Sequence, residues 1–193
     1  MNISNQERIK NDLENISQVE FKRVSNNLSN KTNPFLEEIQ KQFSIYEIVR
    51  LEVSSEQKLN MGVLSVELFL NGILNNSTFK KAIIELGPRE EKIELDGKIQ
   101  MASSLYKLLG DLCYCLQFGG AYTDGTSLKP DVLVKVVKDF IDDFLPEGYK
   151  NYHYFQFFDP WAEWFAGVAW DYTFLLINHN GTDARMLCIT DSD

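Results

Sequence analysis

Aromatic residues are concentrated near the C-terminus, and this density constrains the fold more than any other feature of the 193-residue chain. Twelve of its 24 Phe, Trp and Tyr residues, including all three tryptophans, fall between Tyr149 and Phe174. In residues 152–158 rings occur at both odd and even positions, so both faces of a strand there would be aromatic. Either helices cover both faces of the sheet, or some rings stay exposed for a partner, because Trp and Tyr are enriched at interface hot spots. The sequence leaves both interpretations open.

The apolar pattern predicts an α+β fold in which a helical N-terminal portion of four to five helices packs on a small C-terminal antiparallel sheet ending in a β-hairpin. Helices are expected at 34–46, 59–73, 77–86, 103–118 and 130–145, and strands at 151–158, 170–177 and 184–190. The run 45–53 fits either the end of a helix or a strand. Residues 1–33 are expected to form an N-terminal helix and a polar connector that can be mobile, and residues 34–193 a single α+β domain.

Three dipeptides carry local predictions. Asn180-Gly181 indicates the tight turn of the last hairpin, and Asp96-Gly97 indicates a further hairpin between weak strands. Asp159-Pro160 is typical of a helix start, with Asp as N-cap and Pro in the first turn, so one or two helical turns are expected over 161–166.

The charge balance excludes several classes of partner. The chain has 28 acidic and 19 basic residues and a formal net charge of -9. Nucleic-acid backbones and anionic lipids both require a basic face, so neither is expected as a partner. From residue 151 onward there are six acidic residues and one basic residue, Arg185. This segment is also the aromatic one, which suggests an acidic, ring-rich end of the molecule.

No recognised catalytic motif or metal-ligand spacing occurs in the chain. Its two histidines are His179, in the expected hairpin turn, and His153, in an aromatic strand where Asp159, Glu163 or Asp171 would have to supply a carboxylate partner. Cys113 and Cys115 would point about 200° apart on a helix, so they cannot share one metal ion. Neither a metal nor a cofactor is therefore expected.

These observations favour a non-enzymatic, acidic protein-binding domain over an enzyme. The expected partner is a protein with a basic surface, such as a toxin nuclease, and an inhibitor or immunity-type protein is a compatible class. The N-terminus lacks an apolar signal segment, so a cytoplasmic location is expected. A small hydrolase using His153 is the alternative, and a homodimer paired through the last strand is a third hypothesis. The residues expected to meet the partner are Asp159, Trp161, Glu163, Trp164, Asp171 and Tyr172.

Overall fold

The computed structural model describes residues 4–54, 56, 58–95, 99–102, 104–165 and 167–191. Six α-helices occur in this part of the chain: α1 (Asn5–Gln18), α2 (Asn33–Gln42), α3 (Val66–Leu74), α4 (Ser77–Ala82), α5 (Leu105–Phe118) and α6 (Pro130–Phe144). Six strands accompany them: β1 (Phe21–Val24), β2 (Ile45–Val53), β3 (Gln100–Ala102), β4 (Tyr152–Phe157), β5 (Tyr172–Asn178) and β6 (Asp183–Thr190). None of the helices in the described residues is long and apolar enough to cross a membrane.

All six strands form one antiparallel sheet in the order β1-β2-β6-β5-β4-β3. β5 and β6 are the expected C-terminal hairpin, and Gly181 adopts a positive φ of 66° in its turn, a conformation that suits glycine. The last strand, β6, lies between β2 and β5, so it has no free edge with which to pair with a second copy. The homodimer hypothesis based on that strand is therefore wrong, since the sheet edges belong to the short strands β1 and β3.

Helices cover both faces of the sheet, which confirms the α+β fold class. One hydrophobic core joins α1, α3 and α4 to one face, and a second core joins α2, α5 and α6 to the other. Successive residues of β4 and β5 therefore enter opposite cores: Phe155 and Phe157 pack in the first, and Tyr152 and Tyr154 in the second. Two apolar layers explain how residues 152–158 can carry rings on both faces of the strand.

Three local predictions are corrected by tertiary contacts. The helix expected over 59–73 begins only at Val66, because the Leu59 amide bonds to the Gly181 carbonyl (2.9 Å) and Gly62 has a φ of 53°. The ambiguous run 45–53 is β2, the strand beside β6. Residues 161–165 form no helix. Instead, Ala162 makes an isolated β-bridge with Pro88.

The Asp96-Gly97 prediction lies outside the described residues. Residues 91–95, before the expected turn, are not in a strand, and Gln100–Ala102 pairs with β4. The predicted helices α2, α4, α5 and α6 are present with ends that differ by a few residues from expectation.

Candidate functional site

Two segments distant in the sequence meet beside Trp161 and form what we call the acidic groove, made of residues 89–95 and 159–164. The Glu163 amide bonds to the Gly87 carbonyl (2.8 Å) and the Arg89 amide to the Trp161 carbonyl (3.3 Å). These bonds flank the Pro88–Ala162 bridge and hold the two segments side by side. The depression between them has a volume of about 280 Å³.

Carboxylates dominate the acidic groove. The two segments carry five acidic and two basic side chains: Glu90, Glu91, Glu94, Asp159 and Glu163 against Arg89 and Lys92. Lys92 forms an ion pair with Glu94, which neutralises one basic and one acidic side chain of the groove and leaves the acidic excess unchanged. Glu90, Glu91, Glu94 and Glu163 are exposed. A cationic group entering the groove would therefore be attracted to several carboxylates at once.

Of the sequence-predicted partner residues, Asp159, Trp161, Glu163 and Trp164 belong to this groove and its margin. Trp161 is only 1% exposed, and its indole nitrogen donates to Thr173 Oγ1 (2.9 Å), so it forms the floor of the groove. Trp164 is partly buried and packs edge-on against Phe165. Only part of the ring surface expected for a partner is therefore accessible.

Asp171 and Tyr172 lie in the interior instead. Asp171 accepts hydrogen bonds from the Gly167 amide (2.7 Å), the Val168 amide (3.0 Å) and Thr190 Oγ1 (2.5 Å), which ties the loop before β5 to the end of β6. Tyr172 packs in the second core, on the opposite side of the sheet from Trp161, and its burial raises the pKa of its hydroxyl to about 12. Both residues hold the fold, and neither reaches the acidic groove.

Two further C-terminal acids are also internal. Asp183 binds the guanidinium groups of Arg185 (2.7 Å) and Arg50 (2.9 Å) and the Tyr152 hydroxyl (3.1 Å). Asp191 accepts from the Ser44 amide (3.2 Å) and the Ala121 amide (2.5 Å), which anchors the loop after α5. Asp171, Asp183 and Asp191 therefore contribute little to the outer surface. The acidity of the groove comes largely from residues 90–94, a contribution that residue counting along the C-terminal segment missed.

A second feature is the outer face of α5, which we call the α5 stripe: Tyr106, Gly110, Tyr114 and Phe118. These positions are four apart and therefore follow one side of the helix. The Tyr106 side chain is 81% exposed, Tyr114 57% and Phe118 56%, and the last two rings are in contact at a centroid distance of 4.3 Å. A Cβ at Gly110 would meet no atom within 4 Å, so the stripe has a gap between its first and second rings.

The third feature is the histidine cleft, a depression of about 430 Å³ at the start of β4 and the β5–β6 turn. Its walls include Lys58, Asn60, His153, His179 and Asn180. The two imidazole rings lie 4.4 Å apart between centroids. Burial, and then the neighbouring His179, lower the pKa of His153, because each disfavours a charged imidazolium.

The structure does not bring His153 beside Asp159 or Asp171, two of the three carboxylates expected as its partners. His153 pairs with Ile177, whereas Asp171 and Asp159 lie beyond the other end of the β4–β5 pair, where Phe157 meets Thr173. Four strand residues separate the two ends, about 13 Å. None of the described residues that line the histidine cleft is Asp or Glu.

The cysteines and carboxylates of the described residues do not form a metal centre either. Cys115 and Cys188 are buried, and burial raises the pKa of both thiols, which disfavours the thiolate that binds a metal. Within the described parts of the chain, no group of three or more His, Cys, Asp or Glu side chains is placed to hold a metal ion.

Comparison with protein-family models finds no family that matches the chain. Comparisons with curated proteins and with solved structures find no match either.

Proposed function

We propose that the protein binds a protein partner through the acidic groove, and that the partner inserts a basic segment there. The observation that carries the proposal is that three carboxylates from two distant segments, Glu91, Glu94 and Asp159, line one depression beside a fixed bridge, with the exposed Glu90 and Glu163 near them in the sequence. A groove shaped by backbone hydrogen bonds needs little reordering on binding, which lowers the entropic cost of association. A toxin nuclease is one compatible partner, because its cleft must be basic to bind phosphate.

The electrostatic part of the proposal can be tested with a fluorescent arginine-rich peptide and an acidic peptide of equal length. Polarisation measurements are expected to show binding of the basic peptide only, weakening as salt rises because the Debye length shortens. The triple variant Glu91→Gln, Glu94→Gln, Glu163→Gln should reduce the affinity roughly tenfold or more, since several close charge pairs are lost.

A matched control variant distinguishes an effect of the acidic groove from an effect of the protein's net charge. The variant Glu14→Gln, Glu20→Gln, Glu37→Gln removes the same charge from exposed positions outside the groove. Its affinity should stay within about twofold of the unmodified protein, because exposed charges beyond a Debye length are largely screened. Equal losses of affinity in the two triple variants would show that only net charge matters, and would contradict binding at the acidic groove.

The α5 stripe favours a second candidate function, self-association through that helix. Residues 105–118 carry one basic residue and one acidic residue, Lys107 and Asp111, which form an ion pair with each other. The helix thus carries no net charge in a chain whose net charge is -9, so two copies can meet there with little repulsion. The gap at Gly110 would let the backbones of two crossing helices approach closely.

Light scattering coupled to size exclusion tests this second candidate over a concentration series. A dimer is expected that dissociates in the variant Tyr114→Ser, Phe118→Ser, with the circular dichroism spectrum unchanged because both rings are exposed. A strict monomer at all concentrations would contradict it and leave the acidic groove unaffected.

A further inference from the structure

The histidine cleft differs in charge from the rest of this acidic molecule. Its described lining contains one lysine and two histidines, and no acidic residue. Asp12 and Glu56 line a neighbouring depression that shares Lys58 and Asn60 with the cleft. The Asp12 carboxylate lies against Gly62 at the margin of the cleft, where it accepts the Val63 amide (2.9 Å), and it is not part of the cleft lining. The cleft is therefore a local site where an anion would meet cationic and neutral donors first.

The polar wall offers hydrogen-bond donors from separate elements. Lys58 supplies an ammonium, His153 on β4 and His179 after β5 supply ring N–H groups, and Asn180 supplies an amide. The Asn60 side-chain oxygen accepts the Gly62 amide (2.9 Å), which orients that side chain and leaves its NH₂ end as a donor. Several donors converging on one depression are the usual requirement for an oxyanion.

The opposite wall is apolar. Met61, Phe69, Met101, Phe155 and Ile177 line it, and Phe69, Phe155 and Ile177 belong to the first core, so this wall is firmly supported. A ligand that used both walls would carry a negative group at one end and a hydrocarbon group at the other. Concave sites that combine apolar walls with converging polar groups are typical of small-molecule binding.

We infer that the histidine cleft binds a small organic anion, a carboxylate or phosphate monoester attached to an apolar group. The anion lies between Lys58 and the two histidines, and the apolar group lies against Phe69, Phe155 and Met101. This inference is independent of the acidic groove, because no residue lines both.

Bound anion should stabilise the imidazolium form of His153. Lys58 and His179 are the other basic groups that line the cleft, and Asp12 lies against Gly62 at its margin. His179 disfavours a further positive charge on His153, and no described acidic residue lines the cleft. Binding should therefore raise the pKa of His153, by about half a pH unit or more, as an opposite charge at close range does.

Calorimetry with phenyl phosphate and benzoate tests the inference, and benzyl alcohol is the neutral counterpart. At least one anion is expected to bind and the alcohol is expected not to. The expected binding should weaken roughly threefold to tenfold in Lys58→Gln and in His179→Gln, because each removes one charge-assisted contact at an exposed position. The control Lys31→Gln, near α6 on the other side of the sheet, should bind as the unmodified protein does.

Histidine NMR spectra recorded across a pH series provide the second readout. With a bound anion the His153 resonance should titrate at higher pH than in the free protein, and the effect should disappear in Lys58→Gln if that lysine holds the anion. The inference is overturned if neither anion binds, if benzyl alcohol binds as well as the anions, or if the control variant loses as much affinity as the cleft variants.

Discussion

Aromatic residues are dense between Tyr149 and Phe174 and sparser along α5, yet the first set lies inside the molecule and the second lies on its surface. Of the twelve C-terminal rings, eight are buried and four partly buried, whereas the three rings of the α5 stripe are each more than half exposed. Their secondary structures explain the contrast. The C-terminal rings belong to a sheet enclosed by helices on both faces, and α5 has only one face turned to the core. A high density of rings in the sequence therefore indicates tight packing. Whether a ring is exposed depends on whether another helix or strand covers the face that carries it.

Trp161→Ala gives the largest expected effect. The indole is 1% exposed and hydrogen-bonded to Thr173, so its removal leaves a cavity and takes one hydrogen bond from the buried Thr173 hydroxyl. We expect a loss of about 3–5 kcal/mol in the free energy of unfolding, measured by urea titration. Tyr114→Ala is the matched control and should change that free energy by less than about 0.5 kcal/mol. Similar losses in the two variants would break the distinction between interior and surface rings.

Alkaline pH should separate interior tyrosines by their ionisation. Burial raises the pKa of Tyr152, Tyr154 and Tyr172, the last to about 12, so the folded state keeps protons that the unfolded state releases near pH 10. Stability is therefore fully present below pH 10 and falls as the pH rises, by roughly 1 kcal/mol per such tyrosine at pH 11.

Absorbance at 295 nm measures that ionisation directly. Part of the tyrosinate signal should appear only together with unfolding, as followed by far-ultraviolet circular dichroism. In Tyr172→Phe the amplitude of this late signal should decrease by about a third, since three buried tyrosines produce it. A tyrosinate signal that is complete before the dichroism changes would show that these hydroxyls reach solvent in the folded protein.

The acids of the C-terminal region include both interior and surface side chains, although its rings lie mostly in the interior. Asp171 accepts three hydrogen bonds inside the fold, whereas Glu163 is exposed at the acidic groove. Asp171→Asn should lower the free energy of unfolding by about 2–3 kcal/mol, because an amide cannot accept from two backbone N–H groups and a hydroxyl as a carboxylate does. Glu163→Gln should change it by less than about 0.5 kcal/mol. Thermal unfolding of both variants at one pH compares them, and a larger loss in Glu163→Gln would reverse the assignment.

Local sequence patterns predicted the elements well where the structure is decided locally. Pro34 and Pro130 stand in the first turns of α2 and α6, and Asn180-Gly181 forms the expected turn. The Asp159-Pro160 signal failed because hydrogen bonds between residues 161–163 and 87–89 form the Pro88–Ala162 bridge, a pairing that no local pattern reveals. The predicted partner residues separated for a related reason. Trp161 and Tyr172 lie on opposite faces of a sheet whose order depends on β1 and β2, strands far away in the sequence.

The surface features were the least predictable part, since each combines residues from distant segments. The acidic groove depends on residues 90–94, whose charges were visible in the sequence but whose neighbours were not. The histidine cleft joins Lys58 to His153 and His179 through the bond between the Leu59 amide and the Gly181 carbonyl. Spacing along the chain carries no signal for either arrangement, because both depend on long-range pairing.

Two glycines within helices, Gly110 and Gly72, compare a surface position with an interior one through a single added methyl group. Gly110→Ala gives the smallest change in the free energy of unfolding that we expect. No atom of the described residues lies within 4 Å of a Cβ at Gly110, so alanine should stabilise α5 by about 0.5–1 kcal/mol through its higher helix propensity. At Gly72 in α3 the same methyl would lie 3.2 Å from Ile16 Cγ2 on α1, so crowding should cancel the propensity gain in Gly72→Ala. Urea titration of both variants measures the difference. If Gly110→Ala is more stable, the described contacts give the glycine no role in folding. A weaker dimer in that variant would then assign the glycine to the interface between two copies. No stabilisation at Gly110 would mean instead that α5 is held by contacts other than those described, and that its exposed stripe is not a free surface.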